Sequence, residues 1–184
     1  MEQRTIGVAG AATGIGVTHL VMALANYSVS HRRRKTAVVE LSGNHTMEEL
    51  AGTSGPFDWN RISCYPNFTG NRIADVINRD YEVVIFDMGS SYYRIRTELS
   101  RCGRKLILGS LAPWRKTEYI RFATEVMGDD RNARNTVFLT QNGMKKDKKD
   151  FNKIVGQPVY LIPYLPEPLL AEKSQYEFFD RFIN

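Results

Sequence analysis

Cysteine is scarce in this sequence. Cys64 and Cys102 stand far apart and without metal-ligand spacing, which argues against a disulfide framework and a zinc ribbon. Long apolar runs are missing too. No stretch reaches the roughly 18 residues that a membrane-crossing helix needs. The opening MEQRTIGVAG has neither the basic start nor the apolar length of a secretory signal. The expected compartment is the cytosol, with peripheral attachment at a membrane or a cell pole left open and stable membrane insertion not expected. The three histidines, His19, His31 and His45, have no metal-binding spacing. Ser90-Ser91 follow a glycine but lack the G-x-S-x-G frame of a nucleophile elbow. Linkers rich in Pro, Gly or Ser, repeats and low-complexity tracts are absent, so residues 1–184 read as one domain.

What is present suits one buried core: 42 % of the 184 residues are hydrophobic, too many for a disordered chain. The net charge of +5 is unevenly spread. From Arg94 to Arg121 there are eight basic residues against Glu98 and Glu118, a net +6 that leaves the rest of the chain at −1. Smaller basic runs are residues 31–35 and 145–149. Such surfaces are usually solvated faces, but they also suit nucleic acid, acidic lipid or an acidic partner.

Short apolar runs alternate with amphipathic stretches. Strands are expected at Thr5–Ala9, Thr36–Leu41, Arg61–Tyr65, Tyr81–Phe86, Lys105–Leu108, Thr136–Thr140 and Val159–Ile162. Helices are expected at Val17–Ser30, Met47–Leu50, Ile73–Asn78, around Leu99–Cys102, from Pro113 to about Met127, at Phe151–Val155 and from Leu169 to Asn184. Alternation of this kind predicts an α/β three-layer sandwich, with a mainly parallel twisted sheet and helices on both faces. Ligands of such sheets sit at the carboxyl ends of the strands.

The most informative segment joins the first strand to the first helix: Gly10-Ala11-Ala12-Thr13-Gly14-Ile15-Gly16-Val17-Thr18. Glycines let backbone N–H groups turn inward, and a helix N-terminus behind them attracts phosphate. Gly14, Gly16 and Thr18 supply that pattern, and the Thr18 hydroxyl is the type that holds magnesium. A phosphate loop also needs a lysine just before that hydroxyl, and the position is Val17. A dinucleotide fingerprint fits less well, because the glycines run Gly10-x-x-x-Gly14-x-Gly16, although Glu40 would imitate its ribose-binding acid.

The loop resembles the deviant Walker A motif, K-G-G-x-G-K-T, of the ParA/MinD family of P-loop ATPases. Aligned on Gly14 to Thr18, the family's signature lysine falls on Ala12 and its loop lysine on Val17. Further segments follow in order. Strand two ends Glu40-Leu41-Ser42 where the family has Asp-x-Asp. Tyr81–Phe86 leads to Asp87-Met88-Gly89, like a Walker B strand. Gly156 to Tyr164 is similar to the family's G-x-P-V-x-x-x-I-P-Y turn.

The resemblance implies a nucleotide site built from Ala12, Gly14, Ile15, Gly16, Val17, Thr18, His19, Gly89 and Pro163. Thr18 and Asp87 would hold magnesium if ATP or ADP binds, and Glu40 and Asp87 would be vestigial catalytic carboxylates. With both lysines replaced, the charge that stabilises phosphoryl transfer is gone unless His19 or an arginine from 94–104 substitutes. The implied function is a pseudo-ATPase, a localisation or scaffold factor for a bacterial pilus, secretion or partition system, similar to the TadZ/CpaE group. Two alternatives are a nucleotide-binding dimerisation switch with weak or no hydrolysis, and a DNA-associated partition-type protein using Arg94–Arg121. Expected partners are a protein of such a system and a second copy of the chain. Residues 91–96 (SYYRIR) suit a partner surface, with tyrosine packing in the core as an equal alternative. The aromatic tail, residues 174–184, carries too many acidic residues for an anionic-membrane helix and is expected to dock on the core.

Overall fold

The computed structural model describes residues 3–183; Met1, Glu2 and Asn184, the last included in the expected terminal helix, lie outside them. The chain runs β1 (Arg4–Gly10), α1 (Val17–Ser30), β2 (Thr36–Glu40), α2 (Thr46–Ala51), β3 (Phe57–Trp59), β4 (Ile62–Tyr65) and α3 (Ile73–Ile77). It continues β5 (Val83–Asp87), α4 (Tyr92–Ser100), β6 (Arg104–Gly109), α5 (Lys116–Met127), α6 (Asp130–Ala133), β7 (Thr136–Thr140), α7 (Lys145–Val155), β8 (Val159–Leu161) and α8 (Tyr176–Ile183). The strands form one sheet in the order β3-β4-β2-β5-β1-β6-β7-β8, parallel except for the β3–β4 hairpin. This is the expected α/β sandwich.

Strand periodicity divides the core in two. Ile6, Val8, Val38, Val83, Ile85, Leu106 and Leu108 face the layer of α1 and α8. Ala9, Ala37, Val39, Val84, Phe86 and Ile107 face the layer that contains α3, α4, α5 and α7. The tail docks as expected. Phe179, Phe182 and Ile183 are buried, Phe179 stacks on Tyr27 of α1 at 5.0 Å, and Tyr27 Oη donates to Asp180 at 2.8 Å.

Several boundaries differ from expectation. The β3–β4 hairpin closes through Asn60 and Arg61, both with positive φ, the geometry of a type I′ turn. An arginine where glycine is usual hid that signal. The terminal helix starts at Tyr176 rather than Leu169, because the segment carrying Pro166 and Pro168 bends at Pro166 and turns at Pro168–Leu169, and regular structure resumes only with a short 3₁₀ turn at Lys173–Gln175. Helix α7 starts at Lys145, six residues before the expected Phe151. Its basic run is helical because Asp147 accepts from the Met144 amide at 3.1 Å while Lys116 pairs with Asp147 and Asp150. Pro113 precedes α5 instead of sitting in its first turn. Cys102 lies beyond α4, whose nine residues begin at Tyr92.

The centre of the sheet depends on one close contact. A Cβ at Gly109 would lie 2.0 Å from the Tyr119 ring. That approach lets Tyr119 Oη donate to the carbonyls of Ile107 (3.1 Å) and Leu139 (2.8 Å), on β6 and β7. Gly109→Ala is expected to cost about 3 kcal/mol through overpacking. Tyr119→Phe, which keeps the ring, should cost about 1 kcal/mol. Urea unfolding checks both, and wild-type stability of the phenylalanine variant would refute the bridging role.

Candidate functional site

Strand β1 lies between β5 and β6, the strands joined through α4. Loops therefore diverge at its carboxyl end, the switch point where open α/β sheets bind ligands. The loop from Ala11 to Gly16 starts there. It is pinned by Gly10 N–H to the Gly89 carbonyl (2.8 Å) and Ala11 N–H to the Leu108 carbonyl (2.7 Å). Gly14 and Gly16 have φ of 73° and 97°, a conformation that favours glycine. Gly16 caps α1, which has no side-chain cap and no acidic residue in its first turn. The positive end of the helix thus faces the cavity with no acidic side chain in its own first turn.

Two cavities meet at this loop. One, of about 410 Å³, is lined by residues 12–19 together with Asn44, Thr46, Asp87, Gly89 and Ser90. The other, of about 630 Å³, shares Gly14, Ile15, Gly16 and His19 and continues along Gln141, Asn142 and the Ile162–Leu165 turn. All but one of the sequence-derived site residues border one cavity or both, Pro163 through the second. The exception is Glu40. It is fully buried, and its carboxylate accepts from the amides of Thr46 (2.9 Å), Met47 (3.4 Å) and Asn67 (3.3 Å). It therefore caps α2 and lines neither cavity.

Thr18 Oγ1 donates to Asp87 Oδ2 at 2.5 Å, and Gly89 N–H donates to Oδ1 at 3.2 Å. Burial raises the Asp87 pKa above the ordinary carboxylate value, the Thr18 and Gly89 hydrogen bonds oppose that, and the Glu40 charge adds to the rise. A hydroxyl beside a carboxylate suits magnesium, which takes few protein ligands and fills its octahedron with water and phosphate oxygens. Among the described residues there is no group of three His, Cys, Asp or Glu side chains placed to hold a metal.

Phosphoryl transfer asks for more than the cavities supply. Ala12 and Val17 are apolar and each 8 % exposed. Neither cavity is lined by a lysine or arginine among the described residues. His19 Nε2 lies 2.6 Å from the Leu165 carbonyl, a contact that ties it to the second cavity. Arg94 lies against the backbone at Gly43, in the loop after β2, and lines neither cavity.

The Arg94–Arg121 stretch, a net +6 in sequence, is divided in the fold. Arg101 and Arg104 lie at the opposite end of the sheet from the loop. Lys105 is buried, with Nζ donating to the Arg134 and Cys102 carbonyls. Lys116 is ion-paired with α7. The parallel sheet sends successive residues of this stretch to different poles. The tyrosines of residues 91–96 divide as well, Tyr92 being buried and Tyr93 76 % exposed.

Thr13, Ser90, Gln141 and Asn142 escaped the sequence reading. Thr13 and Ser90 hydroxyls meet at 3.1 Å across the mouth of the loop. Gln141 and Asn142 directly follow β7, and their place after a strand end on the ligand edge was the available signal.

No protein-family model matches this sequence, and no curated protein matches it by sequence. Solved structures do match its fold. A ParA family ATPase from Chlorobium tepidum TLS superposes with a TM-score of 0.67 at 15 % identity, over 98 % of this chain and 96 % of that one. A plasmid partition protein from Borrelia burgdorferi B31, bound to AMPPNP, gives 0.68 at 11 % identity over 99 % and 98 %. Cobyrinic acid a,c-diamide synthase from Mycobacterium smegmatis, with bound ADP and magnesium, gives 0.65 at 15 % over 97 % and 93 %.

Asp87→Asn should stabilise the fold and raise its melting temperature at neutral pH. A raised carboxyl pKa means the folded state pays for ionisation above that pKa. The gain should therefore be full at neutral pH and fade as pH falls towards about 4. Melting curves across pH check this, and a destabilised variant at neutral pH would contradict it. The chain folds as a ParA/MinD-type P-loop α/β domain.

Proposed function

We propose that this chain is a ParA/MinD-like pseudo-ATPase that works as a localisation or scaffold factor, holding a protein partner of a pilus, secretion or partition system. One observation carries the reading: the phosphate-loop geometry is kept while, among the described residues, no lysine or arginine lines its cavity. Phosphoryl transfer relies on positive groups around the transferred phosphate, and here both lysine positions are apolar. Vestigial roles are assigned to Asp87 and Glu40, the latter now a cap for α2.

The exposed apolar side chains support a docking role. Tyr93, Trp114, Met144 and Tyr164 are each at least 72 % exposed. They follow β5, β6, β7 and β8 respectively, so all belong to the edge that carries the loop. Large exposed apolar groups gathered on one edge mark interaction sites. A protein partner or a second copy of the chain would meet the molecule there. No helix among the described residues is long and apolar enough to cross a membrane.

A second reading, a nucleotide-gated dimerisation switch without fast hydrolysis, is favoured by the Thr18–Asp87 pair and by two contiguous cavities. In it the first cavity takes phosphates with magnesium on Thr18 and Asp87. The second, bordered by Pro163 and Asn142, takes the base. The neighbours with bound AMPPNP or ADP and magnesium lend it fold-level support.

Calorimetric titration with ATP or ADP and magnesium separates the two. The scaffold reading predicts no heat at tens of micromolar nucleotide. It predicts at least a ~10-fold gain in affinity when Ala12→Lys and Val17→Lys are combined, each charged contact being worth about 1.5–3 kcal/mol. Micromolar binding by the wild type, abolished by Gly16→Asp, would overturn it and establish the switch.

A further inference from the structure

The cationic side chains missing from the loop end gather at the other end of the sheet. Arg4 opens β1, Arg34 stands just before β2 and Arg104 opens β6. Because these strands are parallel, all three emerge on one edge. With Arg101 they line a pocket of about 450 Å³, together with Gln3, Thr5, Glu82 and Phe182. The seven residues of β1, at about 3.3 Å each, put this pocket about 20 Å from the phosphate loop.

The pocket holds four arginines against one carboxylate. Glu82 accepts from the Lys35 amide at 3.0 Å and offsets part of the charge at Arg34. None of the four arginines makes an ion pair among the described residues. Arg4 and Arg34 each donate through Nη1 to the Ile183 carbonyl, and Arg104 donates to the Arg181 carbonyl. These bonds fix the guanidinium groups on the last turn of α8, and the Phe182 ring lies 5.9 Å from Arg104. Among the described residues, most of each fork's donors have no partner. Burial, and then the neighbouring Arg4, lower the proton affinity of Arg34 and Arg104. Guanidinium groups stay charged, so the crowding is positive charge that Glu82 and Asp180 offset only in part at Arg34, rather than deprotonation.

We infer that this arginine pocket is a binding site for a small anion carrying at least two phosphate groups. The guanidinium forks match phosphate oxygens two at a time, and the volume falls in the range of small-ligand sites. Three guanidinium groups held by backbone carbonyls are preorganised, so little side-chain ordering opposes binding. The inference is independent of whether nucleotide occupies the loop.

Inorganic pyrophosphate is the probe, titrated without magnesium at low salt and followed by melting temperature and calorimetry. A ligand that binds only the folded state raises its melting point. The expected result is a rise that saturates with pyrophosphate, an affinity at least ~10-fold weaker in Arg101→Gln and in Arg4→Gln, and no change in Gly16→Asp. Arg101 is exposed, makes no side-chain hydrogen bond among the described residues, and its variant is expected to fold. A flat melting curve, or binding that survives both arginine changes or is lost in Gly16→Asp, would overturn the assignment. So would a short DNA duplex that binds in preference to pyrophosphate and depends on Arg101.

Discussion

Strand β1 is hydrogen-bonded on one side to β5 and on the other to β6 and is packed between two helical layers, and the loop that leaves it inherits that rigidity. Gly10 and Ala11 extend the two ladders by one bond each, to Gly89 and Leu108. Gly14 and Gly16 then reverse the chain with positive φ. Thr18, one residue into α1, is thereby held over Asp87 at the end of β5. The loop, the helix terminus and the carboxylate are consequences of one strand arrangement, whichever side chains occupy positions 12 and 17.

The molecule separates architecture from charge. The loop end keeps a buried, ionisable Asp87 whose pKa burial raises, a feature more common at functional sites than in plain cores. Yet no lysine or arginine among the described residues lines its cavities, while arginines collect at the far edge of the same sheet. That separation is what the proposed role, holding partners rather than turning over nucleotide, rests on. The exposed aromatic and methionine side chains around the loop point the same way.

Much of this was legible in the sequence where local chemistry and fold agree. Helix α1 begins and ends where its periodicity places it, and β7 likewise. The Gly14–Thr18 and Asp87–Gly89 segments announced their meeting, because phosphate-loop geometry has few sequence solutions. What stayed hidden depended on tertiary partners. Glu40 has the residue type of a catalytic acid, and only the fold shows its carboxylate spent on the amides of α2 and Asn67. The Arg94–Arg121 charge looked continuous along the chain, but a parallel sheet sends strand starts and strand ends to opposite poles. For the same reason Arg4, Arg34 and Arg104, far apart in sequence, converge. The start of α7 depended on Lys116 of a different helix, which no local pattern reveals.

The proposed scaffold role requires that the kept loop geometry does not catalyse phosphoryl transfer. The direct test is release of labelled phosphate from ATP with magnesium, at enzyme in excess over nucleotide and followed for hours. Release no faster than in buffer alone is expected. Release above that level by the wild type, removed by Asp87→Asn, would contradict it and show that the site works without either lysine.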